Sequence, residues 1–147
     1  MIVYTCEAGG RYIPVAESLQ ERPEGKRSVY VNLTNRCTCS CTFCLRSMKK
    51  MAETQTLWLK EEPTVAEVKA QLDGLPWNMV QEIVFCGFGE PTERLADLTT
   101  LMKYVKETHP DVKTRLNTNG LSDLAYKRDT APDFGGGILD TISISMN

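Results

Sequence analysis

The sequence has few of the features that mark membrane, secreted or nucleic-acid-binding proteins. No apolar run approaches the ~20 residues that a membrane-spanning helix needs. Residues 1–10 have no basic segment followed by an apolar core, so we expect no signal peptide. Seventeen Lys and Arg residues against nineteen Asp and Glu give a net charge of −2, without the basic excess that binds duplex nucleic acid. We therefore expect a cytoplasmic protein.

Aromatic residues are also few, at 7%, yet the composition is that of a globular protein. The 147 residues are 41% hydrophobic and 24% charged, which excludes a disordered or low-complexity chain and suffices for one compact domain. The only histidine, His109, precedes Pro110 at a predicted helix end. We expect it to cap that helix and assign it no catalytic role.

Six cysteines are the unusual feature of the composition. Four of them, Cys37, Cys39, Cys41 and Cys44, crowd into one short segment. A disulfide framework needs an oxidising compartment and stabilises mainly by closing longer loops, so this crowding favours thiolates gathered around a metal. The C-x3-C-x2-C spacing of Cys37, Cys41 and Cys44 suits three irons of a cubane cluster, with the fourth iron left open.

A zinc site is the alternative interpretation of the same loop. Cys39 could join its neighbours in a closed tetrahedral site, and the chain would then be a non-catalytic zinc-binding interaction module using residues 37–44. The chain lacks the usual second ligand pair downstream, and zinc leaves the turn at residues 87–91 unexplained. Of the other two cysteines, Cys86 ends a predicted strand, where it either is buried or lines the pocket, and Cys6 has no assigned role.

Strands and helices alternate after residue 27. Apolar or alternating patterns predict strands at residues 28–34, 82–86, 112–117 and 140–146, and helical spacing predicts helices at 65–75, 95–108 and 121–127. This order predicts an α/β fold with a parallel sheet and right-handed crossovers. Residues 1–27 are expected to be an N-terminal extension with a short helical turn, and residues 28–147 to be the core.

Four candidate motifs follow the four predicted strands. They are the cysteine loop, the turn Gly87-Phe88-Gly89-Glu90-Pro91, residues 117–120 and residues 145–147. The carboxyl ends of parallel strands meet at one edge of a sheet, so we expect a single functional site there. Four β/α units cannot close an eight-unit barrel of about 250 residues. We expect a partial TIM-barrel-like core, truncated after the fourth strand of a longer protein.

These motifs resemble those of the radical S-adenosylmethionine (radical SAM) superfamily. The three spaced cysteines, with Phe43 before the last, match its cluster motif, and residues 87–91 are similar to its Gly-Gly-Glu-Pro motif with Phe88 in place of one glycine. The end of the fourth strand also matches, although Asn147 replaces an acidic residue. The strings NLTNRC, CTFCLR, CGFGEPTER, RLNTNG and LDTISISMN together look like the radical proteins associated with TatD-type nucleases.

The resemblance implies cofactors and residue roles. A [4Fe-4S] cluster on Cys37, Cys41 and Cys44 would bind S-adenosylmethionine and cleave it reductively to a 5′-deoxyadenosyl radical, which abstracts hydrogen from an unknown substrate. The implied cofactor-binding residues include Phe43, whose neighbouring backbone would face adenine, and Gly87. Glu90 and the Gly89 backbone would face the methionine ammonium, and Asn119, Ser145 and Asn147 would contact ribose or carboxylate.

The resemblance also implies partners. A flavodoxin- or ferredoxin-like one-electron donor is expected, and a functional link to a TatD-type nuclease follows from the resemblance alone. An inactive fragment that binds iron without cleaving S-adenosylmethionine is a further hypothesis.

Overall fold

The computed structural model describes residues 1–48 and 56–146. Its centre is one six-stranded sheet in the order β2-β1-β3-β4-β5-β6. The strands are β1 (Val3–Glu7), β2 (Arg11–Ile13), β3 (Arg27–Val31), β4 (Val80–Phe85), β5 (Lys113–Thr118) and β6 (Thr141–Ile144). Strands β3 to β6 are parallel, whereas β1 and β2 pair antiparallel. The predicted α/β class is confirmed, and the described strands form an open sheet rather than a closed barrel.

Five α-helices connect or flank these strands in the described residues. They are α1 (Val15–Glu21), α2 (Leu45–Met48), α3 (Val65–Asp73), α4 (Leu95–Thr108) and α5 (Ser122–Tyr126). Helix α3 begins at a capping box in which Thr64 and Glu67 bond to each other's backbone N–H. His109 is the C-cap of α4, as expected, and its ring stacks on Trp77 with centroids 3.7 Å apart. None of the described helices is long and apolar enough to cross a bilayer.

The N-terminal residues belong to the sheet. Strand β1 pairs with β3 at Tyr4 and Tyr30, and β2 folds back on β1 through a reversal at Gly9 and Gly10, whose φ values are 77° and 72°. The sequence predicts only an N-terminal extension with a short helical turn here. The two strands escape prediction because β2 has only three residues, too few for an alternating pattern, and β1 finds its partners only in the folded sheet. The division between residues 1–27 and 28–147 stays a prediction.

One face of the sheet packs on the helices. Alternate strand residues and the inward faces of α3 and α4 form a core with no exposed surface, including Val29, Val31, Ile83, Phe85, Val68, Leu72, Leu98, Leu101, Met102 and Leu116. Burial of each such side chain contributes about 1.5–3 kcal/mol. The core fixes the register of β3, β4 and β5, and therefore where their carboxyl ends lie.

Strand β6 is the exposed edge of the sheet, and Asp140 anchors its start. Ile142 and Ile144 are 50% and 57% exposed. The Asp140 Oδ2 atom accepts hydrogen bonds from Lys106 Nζ at 2.5 Å, from Thr114 N at 2.8 Å and from Thr114 Oγ1 at 3.2 Å. Burial raises the pKa of Asp140, but these donors and the Lys106 charge outweigh it, so the pKa lies below its ordinary value.

We expect Asp140→Asn to lower the free energy of unfolding by about 1 kcal/mol at neutral pH, because charge-assisted bonds in a partly exposed site are lost. Since folding lowers this pKa, the contribution is complete above the unfolded value of about 4 and disappears as pH falls through the folded value. Denaturant titrations at neutral pH and near pH 3 measure both effects, with the exposed Asp111→Asn as control. If the difference in free energy of unfolding between wild type and Asp140→Asn is as large near pH 3 as at neutral pH, the stabilisation does not come from the Asp140 charge.

Candidate functional site

A cavity of about 330 Å³ lies where the parallel strands end. Its walls come from the loop after β3, the turn after β4 and the ends of β5 and β6. The sequence-predicted residues that line it are Cys37, Cys41, Phe43, Cys44, Gly87, Gly89, Glu90, Asn119 and Ser145. Asn147 lies outside the described residues. A groove beside Met1 and Gln71 is larger, at about 580 Å³, but no thiol lines it, so chemistry rather than size identifies the site.

The cysteine loop is held from both ends. Cys44 starts the turn of α2, because Ser47 N and Met48 N both donate to its carbonyl oxygen, at 2.9 and 3.1 Å. Arg46 then reaches back: its Nη2 donates to the Cys39 carbonyl at 3.0 Å and its Nη1 to the Asn35 carbonyl at 3.4 Å. A single guanidinium therefore clamps the loop that carries the four thiols.

All six cysteines lie in the described residues, and none of them forms a disulfide. Burial raises the pKa of the Cys37 thiol, against the opposing hydrogen bond from the Cys39 backbone. In residues 1–48 and 56–146, no three His, Cys, Asp or Glu side chains converge as the ligands of a single ion would. A cubane cluster binds each thiolate through a different iron, so its ligands need not converge in this way. The arrangement therefore does not favour zinc.

Glu90 is a buried carboxylate that ties the strand ends together. It is 6% exposed, and its Oε1 accepts from Thr92 N, Thr92 Oγ1 and Thr118 Oγ1 at 3.1, 2.8 and 2.7 Å. Its Oε2 accepts from Asn119 N at 2.7 Å. The Glu90 N–H donates to the Arg36 carbonyl at 2.7 Å. The turn after β4 is thus joined both to the end of β5 and to the cysteine loop.

Gly87 and Gly89 allow this turn to pack against the chain that follows β3. A Cβ on Gly89 would lie 2.2 Å from the Thr34 carbonyl oxygen, and one on Gly87 would lie 2.0 Å from Asn32 Oδ1. The close backbone approach expected from the sequence is therefore an approach to the neighbouring strand end. Phe88, the departure from the expected motif, does not line the cavity but is buried against other aromatic and aliphatic side chains.

Five further residues line the cavity: Cys39, Leu45, Cys86, Asn117 and Thr118. The sequence suggested Cys39 only as a zinc ligand, left Cys86 open between burial and a place in the pocket, and assigned no cofactor contact to the other three. The Asn117 side chain bonds to the Cys86 thiol, but burial dominates and raises the pKa of Cys86. Asn117 Oδ1 is buried without a hydrogen-bond partner among the described residues. The available signal was position: Cys86 directly precedes the turn at residues 87–91, and Asn117 begins the motif at residues 117–120.

The donor set fits an iron–sulfur cluster together with a polar cofactor. Soft thiols form one wall of the cavity, which suits iron. The same cavity is lined by Glu90 and by Asn117, whose Oδ1 has no hydrogen-bond partner among the described residues, and these oxygens suit an ammonium or hydroxyl donor. A bound group that combines iron with polar donors therefore finds suitable partners for both in this cavity.

Comparisons with known proteins give one finding. The family model described as the Radical SAM superfamily matches residues 31–147, which include every residue named above as lining the cavity. Neither the curated proteins nor the solved structures contain a match. Because the family model covers well over half of the sequence, this chain belongs to the radical S-adenosylmethionine superfamily.

Proposed function

We propose that the chain is a radical SAM enzyme, in which an iron–sulfur cluster and S-adenosylmethionine generate the radical. The observation that carries the proposal is the single cavity shared by the cysteine loop and the turn of Glu90. When bound, a [4Fe-4S] cluster and S-adenosylmethionine supply reductive C–S cleavage and a 5′-deoxyadenosyl radical that abstracts hydrogen from a substrate. The residues of the chain bind and orient these groups.

Cys37, Cys41 and Cys44 are the proposed cluster ligands. All three face the cavity, and the Arg46 clamp holds the backbone between them. Cys44 is further fixed by its place at the start of α2. A braced loop reduces the conformational entropy lost when three thiolates are ordered around a cluster.

The proposed S-adenosylmethionine contacts among the described residues line the same cavity. Glu90 Oε2 accepts one hydrogen bond within the chain and keeps capacity for a second, from the methionine ammonium. The Gly87 and Gly89 backbone lies beside it. Asn119 and Ser145 offer polar groups for ribose or carboxylate, the exposed Phe43 faces adenine, and Asn147 completes the set from outside the described residues.

We place the chain, within the superfamily, beside the radical proteins associated with TatD-type nucleases, because several of its strings resemble that group. A flavodoxin- or ferredoxin-like protein is the proposed one-electron donor. The zinc-binding module is not proposed, since no observation favours it.

Anaerobic reconstitution with iron and sulfide tests the function. We expect a brown protein whose reduced form gives the electron paramagnetic resonance (EPR) signal of a cubane cluster, and we expect that signal to shift when S-adenosylmethionine is added. A shift requires a cofactor bound at the cluster. A colourless protein carrying stoichiometric zinc would overturn the proposal.

We expect Cys41→Ala to abolish cluster assembly, because the iron that Cys41 would hold is left without its thiolate. Iron and sulfide analysis and the EPR spectrum after reconstitution measure the loss. Cys6→Ala is the matched control, since Cys6 is an exposed thiol of β1 that does not line the cavity. Equal iron content in the two variants contradicts the ligand assignment.

We expect Glu90→Gln to lower the free energy of unfolding of the cluster-free protein by about 2 kcal/mol. All four groups that bond to this carboxylate are donors, so the NH₂ group of Gln faces a donor wherever it points. Chemical denaturation measures the change. Glu93→Gln, on the same turn but outside this network, is the control. If Glu90→Gln and the control have the same free energy of unfolding, the hydrogen bonds of Glu90 do not hold the strand ends together.

A further inference from the structure

We propose that Cys39 is an exchangeable fourth ligand of the cluster, which binds the open iron until S-adenosylmethionine displaces it. This inference rests on the proposed function. It concerns a thiol that neither the cluster motif nor the proposed cofactor contacts use.

The position of Cys39 carries the inference. Its thiol lines the same cavity as the three proposed ligands. Its Sγ accepts a hydrogen bond from Asn119 Nδ2 at 3.3 Å, across the cavity from the end of β5. Asn119 is itself fixed through its backbone N–H on Glu90. The Cys39 sulfur therefore points away from its own loop, toward the wall where we place the cofactor.

The surroundings of Cys39 suit a metal ligand. Arg46 holds its carbonyl oxygen at 3.0 Å, so the backbone is anchored while the side chain reaches across the cavity. A hydrogen bond from Asn119 orients the sulfur, as outer partners of metal ligands commonly do. Thiolate is also the usual fourth ligand of a cubane cluster.

The exchange is balanced without a redox partner. On binding iron, Cys39 releases one proton to solvent and forms one S–Fe bond. When the methionine ammonium and carboxylate of S-adenosylmethionine bind that iron, the ammonium loses one proton, the S–Fe bond of Cys39 breaks and the released thiolate takes up one proton. No electron moves, so the oxidation state of the cluster is unchanged. The resting cluster then has four thiolates and retains its fourth iron.

Two consequences distinguish a competing ligand from a merely structural residue. Removing Cys39 should tighten S-adenosylmethionine binding, because the cofactor no longer displaces a thiolate, whereas structural damage weakens binding. Removing it should also expose the fourth iron to oxidative loss, in which [4Fe-4S]²⁺ yields [3Fe-4S]⁺, Fe²⁺ and one electron to the oxidant.

The experiment uses the full chain, reconstituted anaerobically as wild type, Cys39→Ala, Cys39→Ser and the control Cys6→Ala. Calorimetric titration of the oxidised cluster with S-adenosylmethionine gives the Kd. Ferricyanide treatment without the cofactor, followed by EPR, gives the fraction of [3Fe-4S] cluster. We expect both Cys39 variants to bind the cofactor about tenfold more tightly and to lose the fourth iron about tenfold more readily, at the low end of effects on metal sites. Asn119→Ala should shift iron loss in the same direction.

The outcomes separate the inference from the proposed function. A cluster whose signal shifts with S-adenosylmethionine, but whose Kd and iron loss are the same in wild type and Cys39→Ala, overturns the inference and leaves the function standing. Weaker cofactor binding in both Cys39 variants also overturns it, because a competitor cannot act that way. Failure of wild type to assemble any cluster overturns both.

Discussion

The site depends on one buried carboxylate. Glu90 is nearly inaccessible to solvent, and an unpartnered charge there would destabilise the fold by several kcal/mol. Four donors from the turn after β4 and from the end of β5 satisfy it instead. Because the same residue bonds through its N–H to the loop after β3, the three strand ends cannot shift independently of one another. These hydrogen bonds therefore determine the shape of the cavity between the strand ends.

The glycines of the motif follow from the same constraint. Gly89 lies so close to the Thr34 carbonyl that no side chain fits, and without this contact Glu90 could not reach the donors of β5. Phe88 occupies the one motif position whose side chain points into a hydrophobic cluster, with Tyr4 and Leu57. A bulky residue is therefore tolerated at that position, although the resemblance led us to expect glycine there.

Much of this architecture was predictable from the sequence, and the rest was not, for physical reasons. Apolar strands between amphipathic helices predicted the parallel sheet, and the motifs at their carboxyl ends predicted a common site. Strand β2 could not be predicted from the sequence, because three residues show no alternating pattern. Only their pairing with β1 defines them as a strand. The bonds of Glu90 to Thr118 and of Asn119 to Cys39 span 28 and 80 positions. Only the folded register brings such partners together.

The four hydrogen bonds that the Glu90 carboxylate accepts all come from the protein's own N–H and O–H groups, so they form when the chain folds. One wall of the cavity is therefore preorganised: its residues lose their freedom before any cofactor arrives, and binding requires little further ordering there. The cysteine loop differs, since its thiols are only partly buried and one arginine braces its backbone. When a cluster and its cofactor bind, most of the conformational entropy is therefore lost by the residues of that loop.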